Sequence, residues 1–224
     1  MKYLCCAFAV FLFSLSMNAQ TPYQDEEPLA GKTVLVLGDS YVRNHRRPFQ
    51  ETWHYLFAEK HRMNYRNYGR NGGCIAFDRT REGFGPSLLV RYQEMTDTAD
   101  YVIVIAGHND AVKAGNNEDS LKMVADSLDR LCCLLIDKYP TAKIAFITPW
   151  NVDKPGFMQV IDIMKDVCGR HSIPVFDAAR QSGVHVRSDK FRQRFFQSPS
   201  DTAHLNAEGH RHVLNRMEKF LLAL

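Results

Sequence analysis

Short segments of apolar and β-branched residues recur along the chain, and most of them are apolar at every position. They occupy residues 33–37, 101–106, 143–148 and 173–177, and a polar-aromatic segment occupies residues 64–69. A strand that is apolar at consecutive positions is buried on both faces, which is typical of a parallel sheet covered by helices. We therefore predict five strands.

Between these segments, apolar residues recur at the spacing of an α-helix. The pattern predicts helices over residues 49–61 and around residues 121–135, 160–167 and 213–221, and Pro140 stops the longest of them. Strands that alternate with helices predict a three-layer α/β/α sandwich with a central parallel sheet of about five strands, of the flavodoxin-like type. The polar, arginine-rich stretch before residue 201 is predicted to be a loop.

The first residues have the composition of a secretory signal peptide. Lys2 precedes an apolar run from Leu4 to Leu15, and Ala19 precedes polar residues. The run is shorter than the roughly 20 residues that span a bilayer, and no cysteine stands directly after the predicted cleavage point, where a lipoprotein would carry one. We predict a signal peptide over residues 1–19, a polar leader over 20–30 and one domain over 31–224. We expect export to the periplasm or the extracellular medium.

The net charge of the chain and its distribution limit the kinds of binding partner that we expect. The chain has 28 Lys and Arg against 25 Asp and Glu, a net charge of +3, and the two signs are mixed along the sequence. This pattern does not indicate a nucleic-acid-binding surface or membrane insertion. The exception is a basic run, Arg43, His45, Arg46 and Arg47, which favours either an anionic ligand or an ordinary solvated helix end.

Cysteine and histidine spacing gives little support for a metal site. Four cysteines follow the predicted cleavage point: Cys74, Cys132, Cys133 and Cys168. Export permits disulfides, but a domain of this size does not depend on them, so free buried thiols are favoured and the pairing stays open. No C-x-x-C motif occurs, and His210 and His212 face different ways on a helix. We predict no metal and no cofactor.

Polar residues follow several of the predicted strands where they end. Ser40 comes after Gly38-Asp39, Gly72 follows the second strand, Asn109 follows the third, and Asp201 and His204 precede the last helix. In a parallel sheet the carboxyl ends of the strands meet at one edge, so these residues are expected to lie together. Acyl transfer requires such a set: a nucleophile, a base, a group that orients the base, and donors for an oxyanion.

Four motifs built on these residues resemble the conserved blocks of the SGNH hydrolases, also called the GDSL esterase/lipase family. They are Gly-Asp-Ser-Tyr at residues 38–41, residues 67–72, Gly-His-Asn-Asp at 107–110 and Asp-Thr-Ala-His at 201–204. The resemblance covers residues 33–224. The departures are mild, since Tyr41 stands where leucine is common and His108 fills a variable position.

The resemblance implies a role for each residue at the predicted site. Ser40 would be the nucleophile, His204 the base and later the acid, and Asp201 the group that holds the imidazole. The oxyanion hole would comprise the backbone N–H groups of Ser40 and Gly72 and the side-chain amide of Asn109. Chemistry of this kind needs no metal or cofactor. Each residue also has an ordinary structural reading as a turn or cap residue, but all four motifs occur in the family's order.

The substrate is less constrained by the sequence. The family acts on acetylated sugars, phospholipids, thioesters and aryl esters, and the chain has no long apolar lid of the kind a lipase uses. Trp150 either stacks on a sugar ring or packs under a loop, Arg43 is a possible contact for an anionic substrate, and His108 lines the site or is a non-catalytic neighbour. We expect an exported carbohydrate O-acetylesterase acting on a small-molecule or glycan ester.

Two alternatives to this expectation remain. One is a lipid or thioester hydrolase of the same family. The other is a catalytically inactive glycan-binding module on the same fold, although such a module has no need to keep every catalytic residue. A flavodoxin-like nucleotide binder has no support, because neither of the phosphate-binding glycine motifs occurs in the sequence.

Overall fold

The computed structural model describes residues 28–224, so the predicted signal peptide and most of the predicted leader lie outside the described residues. Its centre is a parallel sheet of five strands: β1 (Thr33–Gly38), β2 (Asn64–Gly69), β3 (Tyr101–Ile105), β4 (Lys143–Ile147) and β5 (Val175–Phe176). The strand order is β2-β1-β3-β4-β5. The predicted α/β class and five-stranded parallel sheet are confirmed.

Helices cover both faces of the sheet. They are α1 (Ser40–Arg43), α2 (Trp53–Lys60), α3 (Leu88–Arg91), α4 (His108–Ala114), α5 (Glu118–Lys138), α6 (Phe157–Arg170), α7 (Ala178–Gln181), α8 (Asp189–Phe195) and α9 (Ala207–Leu222). Helices α5 and α6 pack together in one layer, while α2 packs against α9 in the other. The sheet and the two helix layers form a three-layer α/β/α sandwich.

Burial explains the sequence pattern of the strands. Every residue of β3 is buried, and so is every residue of β1 after Thr33, because both strands lie inside the sheet. Strand β2 lies at the edge and is partly exposed, which accounts for its polar and aromatic composition. On α5 the predicted apolar stripe is buried at Val124, Leu128, Leu131 and Leu135. The spacing of apolar residues in the sequence therefore agrees with the positions that are buried in the structure.

Two predicted segments differ from the structure. Residues 49–61 form a short 3₁₀ turn, Phe49–Glu51, and then α2, because the Thr52 hydroxyl accepts a hydrogen bond from the Tyr55 N–H and starts a new helix there. The predicted arginine-rich loop contains α8. Its N-cap Ser188 accepts from the Phe191 N–H, and the rings of Phe191 and Phe195 pack on His212 of α9.

The cysteines of the described region carry free thiols. Cys132 on α5 and Cys168 on α6 are both buried, with their sulfur atoms 4.0 Å apart, whereas the neighbouring Cys133 is exposed. The two adjacent cysteines therefore face different ways, as their helical position predicts. Among residues 28–224, none of the helices is both long enough and apolar enough to cross a membrane.

The strand order creates a crevice at the carboxyl edge of the sheet. The chain passes from β1 to β2 on one side and then returns to β3 on the other side of β1. Loops that leave β1 and β3 therefore diverge, which is where open α/β sheets bind ligands. The strand register pairs Gly38 with both Gly69 and Ile105. The loops that follow these three residues therefore start side by side at the carboxyl edge of the sheet.

Candidate active site

The turn that carries the predicted nucleophile Ser40, which we call the nucleophile turn, begins where β1 meets the end of β3. A Cβ atom on Gly38 would lie 2.0 Å from the carbonyl oxygen of Ile105, so a side chain does not fit there. Asp39 is completely buried and caps α1 by accepting a hydrogen bond from the Tyr41 N–H at 2.8 Å. Ser40 is the first residue of α1, and 8% of its surface is exposed. The turn thus places a serine hydroxyl at the crevice.

The other two predicted members of the triad lie beside this serine. The Nε2 atom of His204 is 2.9 Å from the Oγ atom of Ser40, and its Nδ1 atom is 3.0 Å from Oδ2 of Asp201. Asp201 and His204 come from one short loop before α9, whereas Ser40 lies 164 residues away in sequence. The arrangement has the connectivity of a Ser-His-Asp triad.

Hydrogen bonds keep Asp201 ionised. Burial raises the pKa of its carboxyl group, but the His204 ring and the backbone N–H groups of His204 and Ala203 donate to it and hold the pKa below its usual range. A carboxylate next to Nδ1 favours the tautomer of His204 that carries its proton on Nδ1. The Nε2 atom is then free to accept the proton of the Ser40 hydroxyl.

The backbone donors of the predicted oxyanion hole lie in two loops at this edge. Gly72 has a left-handed backbone with φ of 73°, and a Cβ atom there would meet the Phe84 ring at 2.3 Å, so only glycine is accommodated. Within residues 28–224, neither the Ser40 N–H nor the Gly72 N–H has a hydrogen-bond acceptor. Both are available to an anionic oxygen.

The third predicted donor is the side-chain amide of Asn109 at the start of α4. Its Nδ2 atom donates to the Gly73 carbonyl at 3.0 Å and lies 3.4 Å from Oδ2 of Asp39. The second contact is at the outer limit of a hydrogen bond. One amide hydrogen therefore fixes the glycine loop, and the other is available to a ligand.

Asp110, the next residue, supports the same loop. Its buried carboxyl oxygens accept hydrogen bonds from the backbone N–H groups of Ile75 and Ala76, each at 2.9 Å. Asp110 therefore binds backbone and has a structural role. Asn109 and Asp110 together tie the loop that carries Gly72 to the end of β3.

A buried arginine, not identified from the sequence, lies under the nucleophile turn. Arg91 is 2% exposed and donates to the carbonyl of Gly38 at 3.1 Å and to that of Tyr68 at 2.5 Å. It thereby joins the carboxyl ends of β1 and β2. Burial raises the pKa of nearby Asp39 to about 7, although the Tyr41 N–H and the charge of Arg91 act to lower it. The only sequence signal is a lone arginine beside an apolar run.

The three possible substrate-contacting residues have different environments. The Tyr41 hydroxyl is 2.9 Å from Nδ1 of His108, whose ring packs edge-on against Phe157. Burial lowers the pKa of His108 to about 4, so its ring is neutral. Trp150 is 4% exposed and packs against Tyr41, with ring centroids 4.4 Å apart. Of the two alternatives for Trp150, the packed aromatic is the one observed. Arg43 is exposed at the end of α1.

The segment that follows α1 contacts the triad directly. We call residues 44–47 the post-nucleophile turn. Asn44 and His45 both have left-handed backbones, with φ of 68° and 50°. The His45 ring stacks on that of His204, and its carbonyl accepts from the Asn71 side chain at 3.3 Å, next to Gly72. Left-handed non-glycine residues are often found at functional sites.

Asn44 links this turn to the loop that carries His204. Its side-chain oxygen and its carbonyl both accept from Nε2 of Gln197, each at 3.2 Å, and the Gln197 N–H donates to the His204 carbonyl. Nε2 of buried His210 on α9 also contacts the Asn44 side-chain oxygen, while its Nδ1 accepts from the Trp53 N–H. The sequence shows no pattern that identifies these distant partners.

One group of side chains in the described region has suitable spacing to hold a metal ion. Ligand atoms of Asp129, Cys133 and His171 lie within 4.8 Å of one another. The imidazole of His171 already contacts Asp129 at 3.0 Å, and the Arg170 guanidinium lies 3.8 Å from the same carboxylate. The group is at the ends of α5 and α6 that lie away from the carboxyl edge, so it takes no part in the site of Ser40.

Solved structures share this fold at low sequence identity. A protein from Lactobacillus plantarum is 20% identical, with a TM-score of 0.71, and the match covers 87% of this chain and 98% of that one. A member of the lipolytic G-D-S-L family from Veillonella parvula is 16% identical, with a TM-score of 0.59 and coverages of 86% and 99%. A carbohydrate acetylesterase from Sinorhizobium meliloti is 14% identical, with a TM-score of 0.63 and coverages of 86% and 99%.

The sequence itself matches a family rather than a single relative. No curated protein matches the chain. Residues 36–212 match the profile of the GDSL-like lipase/acylhydrolase family. Because that match runs from the strand before Ser40 to the helix after His204, the chain belongs to the GDSL-like lipase/acylhydrolase family, the SGNH hydrolases.

Proposed function

We propose that the protein is an exported serine esterase that removes small acyl groups, chiefly acetyl, from carbohydrates. The observation that carries the proposal is the chain of contacts from Ser40 through His204 to Asp201, at 2.9 and 3.0 Å. Membership of a hydrolase family supports the reaction class. The choice of substrate is supported by the packing beside Ser40, and export is supported by the composition of residues 1–19.

The first half of the reaction forms an acyl-enzyme. Ser40 Oγ attacks the ester carbonyl while His204 Nε2 takes its proton, and ionised Asp201 stabilises the imidazolium that results. Negative charge develops on the carbonyl oxygen, where the N–H groups of Ser40 and Gly72 and the amide of Asn109 are its donors. Each such donor typically contributes about 3 kcal/mol to the transition state. His204 then protonates the leaving alcohol.

The second half repeats the same chemistry with water. His204, neutral again, removes a proton from a water molecule that attacks the acyl carbonyl. The same three donors stabilise the second tetrahedral intermediate, and its collapse returns the proton to Ser40. A carboxylic acid leaves, and the triad regains its starting protonation. The cycle uses side chains and backbone groups of this chain alone.

Packing on one side of Ser40 favours a small acyl group. Tyr41, Trp150 and Phe157 are each at most 5% exposed, and they pack on one another through the rings of Tyr41 and His108. An acyl chain cannot extend into this filled region without displacing an aromatic ring. The fold is also shared with a carbohydrate acetylesterase, which supports the choice of alcohol.

The export component rests on residues 1–19. Their charged start, short apolar run and small residue before a polar segment are typical of a signal peptide. Expression of the full chain in a bacterial host, followed by N-terminal sequencing of the periplasmic or secreted protein, tests it. A mature chain that begins at Gln20 supports export, and a full-length chain confined to the cytoplasm contradicts it.

Hydrolysis of p-nitrophenyl esters of increasing acyl length tests the reaction. We expect the mature chain to cleave the acetate ester faster than longer ones, and Ser40→Ala and His204→Ala to lower kcat by several orders of magnitude. Faster cleavage of long-chain esters favours the lipid-hydrolase alternative. Turnover no faster than in the two variants, with glycan binding retained, indicates the inactive binding module.

A further inference from the structure

The post-nucleophile turn is held rigidly at the edge of the site. Asn44 is buried, and its side chain donates to the Pro48 carbonyl as well as accepting from Gln197. His45 packs on the catalytic imidazole on one side and bonds to Asn71 on the other. Two consecutive left-handed residues cost on the order of 1 kcal/mol each. A turn maintained at that cost has a fixed orientation relative to Ser40.

This rigid turn and the end of α1 carry three arginines. Arg43, Arg46 and Arg47 are all exposed. In the part of the chain that the structure describes, their guanidinium groups have neither an ion-pair partner nor a hydrogen-bond acceptor. The field of the run extends to the active site, because the charge of Arg46 helps to lower the pKa of His45, after the larger effect of burial and that of the His204 charge.

A groove runs alongside the first of these arginines. Arg43 lines it together with Pro48, Phe49 and Gln50 on one side and Asn67 and Gly69 from the end of β2 on the other. The Asn67 amide is committed to the Val42 carbonyl and the Tyr65 hydroxyl. The guanidinium of Arg43 is thus the charged group of the groove. Ser40 and Arg43 are the first and last residues of the four-residue helix α1, so the groove runs beside the helix that carries the serine.

We propose that Arg43, Arg46 and Arg47 form a subsite for an anionic group on the alcohol part of the ester, so that the substrates are acylated acidic saccharides. The inference rests on the proposed esterase function. Guanidinium groups bind carboxylate and sulfate through paired N–H donors, and both anions share that chemistry. Three like charges within five residues also raise the local concentration of an anionic substrate at low salt.

Three matched sugar esters test the subsite. They are the tri-O-acetylated methyl glycosides of xylose, which is neutral, and of glucuronic acid, which carries a carboxylate, and the corresponding acetylated glucoside with a 6-sulfate. Acetate release gives kcat/KM for each. We expect the wild-type protein to prefer an anionic ester over the neutral one by about 10-fold at low salt. The preference declines as salt shortens the Debye length to roughly 3 to 4 Å.

The decisive comparison uses the anionic-to-neutral ratio of kcat/KM, which cancels any loss common to both esters. The triple variant Arg43→Gln/Arg46→Gln/Arg47→Gln should bring the ratio to about 1. The control Arg130→Gln/Lys143→Gln/Lys219→Gln removes the same charge from exposed positions away from the carboxyl edge and should keep the wild-type ratio. If only one of the two anionic esters has a higher kcat/KM than the neutral ester, its anion is the one that the subsite binds.

Equal rates for the anionic and neutral esters would overturn the subsite while leaving the esterase intact. So would a preference that both triple variants lose to the same extent. If no ester is cleaved, NMR titration of the Ser40→Ala protein with methyl glucuronoside and methyl xyloside separates the two proposals. Selective binding of the glucuronoside that the arginine triple variant lacks supports the subsite without the reaction, and equal or absent binding removes both.

Discussion

The imidazole rings of His45 and His204 lie nearly parallel, with centroids 4.2 Å apart and 11° between their planes. The His45 ring therefore packs on the face of the His204 ring, whereas His204 contacts Asp201 and Ser40 through the nitrogens at its edge. Burial and the charge of His204 lower the pKa of His45. The two rings do not share a hydrogen bond, so the contact positions His204 without exchanging a proton with it.

Substitution of His45 tests this positioning role. His45→Ala removes the stacked ring, and we expect kcat/KM to fall about 10-fold because small displacements of a catalytic group are costly. His45→Phe keeps a flat ring with the same backbone strain, and its kcat/KM should stay within about 3-fold of wild type. Steady-state rates at one pH value above 7 compare the two. Equal losses in both variants would mean that stacking is not the relevant contact.

Asp201 is expected to act through the tautomer of His204. In Asp201→Asn an amide NH₂ can face Nδ1, which favours the tautomer with its proton on Nε2, where it cannot accept from Ser40. We expect kcat to fall about 10³- to 10⁴-fold, as in serine proteases altered in the same way. Labelling of Ser40 by a fluorophosphonate should slow in parallel. Unchanged labelling would assign Asp201 to folding rather than to activation of the serine.

Asn109 is expected to contribute to the transition state rather than to binding. Asn109→Ala removes one oxyanion donor, so kcat should fall about 10²- to 10³-fold while KM changes little. Asn116→Ala is a matched control, because Asn116 is exposed and contacts only Gln159 among the hydrogen-bonding partners described. An increase in KM with kcat retained would contradict the assignment.

The buried carboxyl group of Asp39 predicts a stability that falls as the pH rises. Its folded-state pKa of about 7 is above the ordinary value of 3.8, so the folded protein binds this proton more tightly than the unfolded chain does. This proton contributes on the order of 4 kcal/mol to the free energy of unfolding. The contribution is fully present below pH 3.8 and is lost as the pH rises through about 7. Asp39→Asn cannot titrate and retains an acceptor for the Tyr41 N–H.

Urea unfolding of the wild-type and Asp39→Asn proteins measures this contribution. The variant should be the more stable of the two above pH 7, and the difference should shrink toward pH 4. A constant difference across that range would show that Asp39 does not carry the proton. Asp110, whose pKa burial raises to about 6, remains in both proteins and gives them a common residual slope.

His210 predicts the opposite pH dependence. Burial lowers its pKa from 6.5 to about 3, with smaller effects from the charges of His54 and His204. Its stabilising contribution is complete above pH 6.5 and is lost as the pH falls toward 3, on the order of 3 kcal/mol by pH 4. Protonation also removes the acceptor of the Trp53 N–H.

Replacing His210 by a residue that does not titrate should flatten this acid limb. His210→Gln is expected to lose less stability than the wild-type protein between pH 6.5 and 4, in urea unfolding at fixed temperature. Because His210 bonds to Asn44, kcat of the variant at pH 8 should also fall. Parallel stability curves for the two proteins would show that His210 is not the group responsible.

The sequence was sufficient to predict the order of the strands along the chain and the residues that the structure brings together at the candidate site. Buried strands need unbroken apolar runs, and a nucleophile turn, a glycine loop and an Asp-x-x-His loop each need particular residues within a few positions. These constraints are local, so they are visible without a structure. The break in the helix at Thr52 was missed because a threonine cap inside an apolar pattern is a weak local signal.

Only the tertiary structure decided which distant residues support that chemistry. Arg91 joins two strand ends, His45 stacks on His204, and Gln197 and His210 meet at Asn44. None of these partners is set by a spacing along the chain, because each contact depends on how strands and loops far apart in sequence are folded together. The burial of Trp150 has the same origin. Packing, which the linear pattern does not encode, chooses between an exposed ring and a covered one.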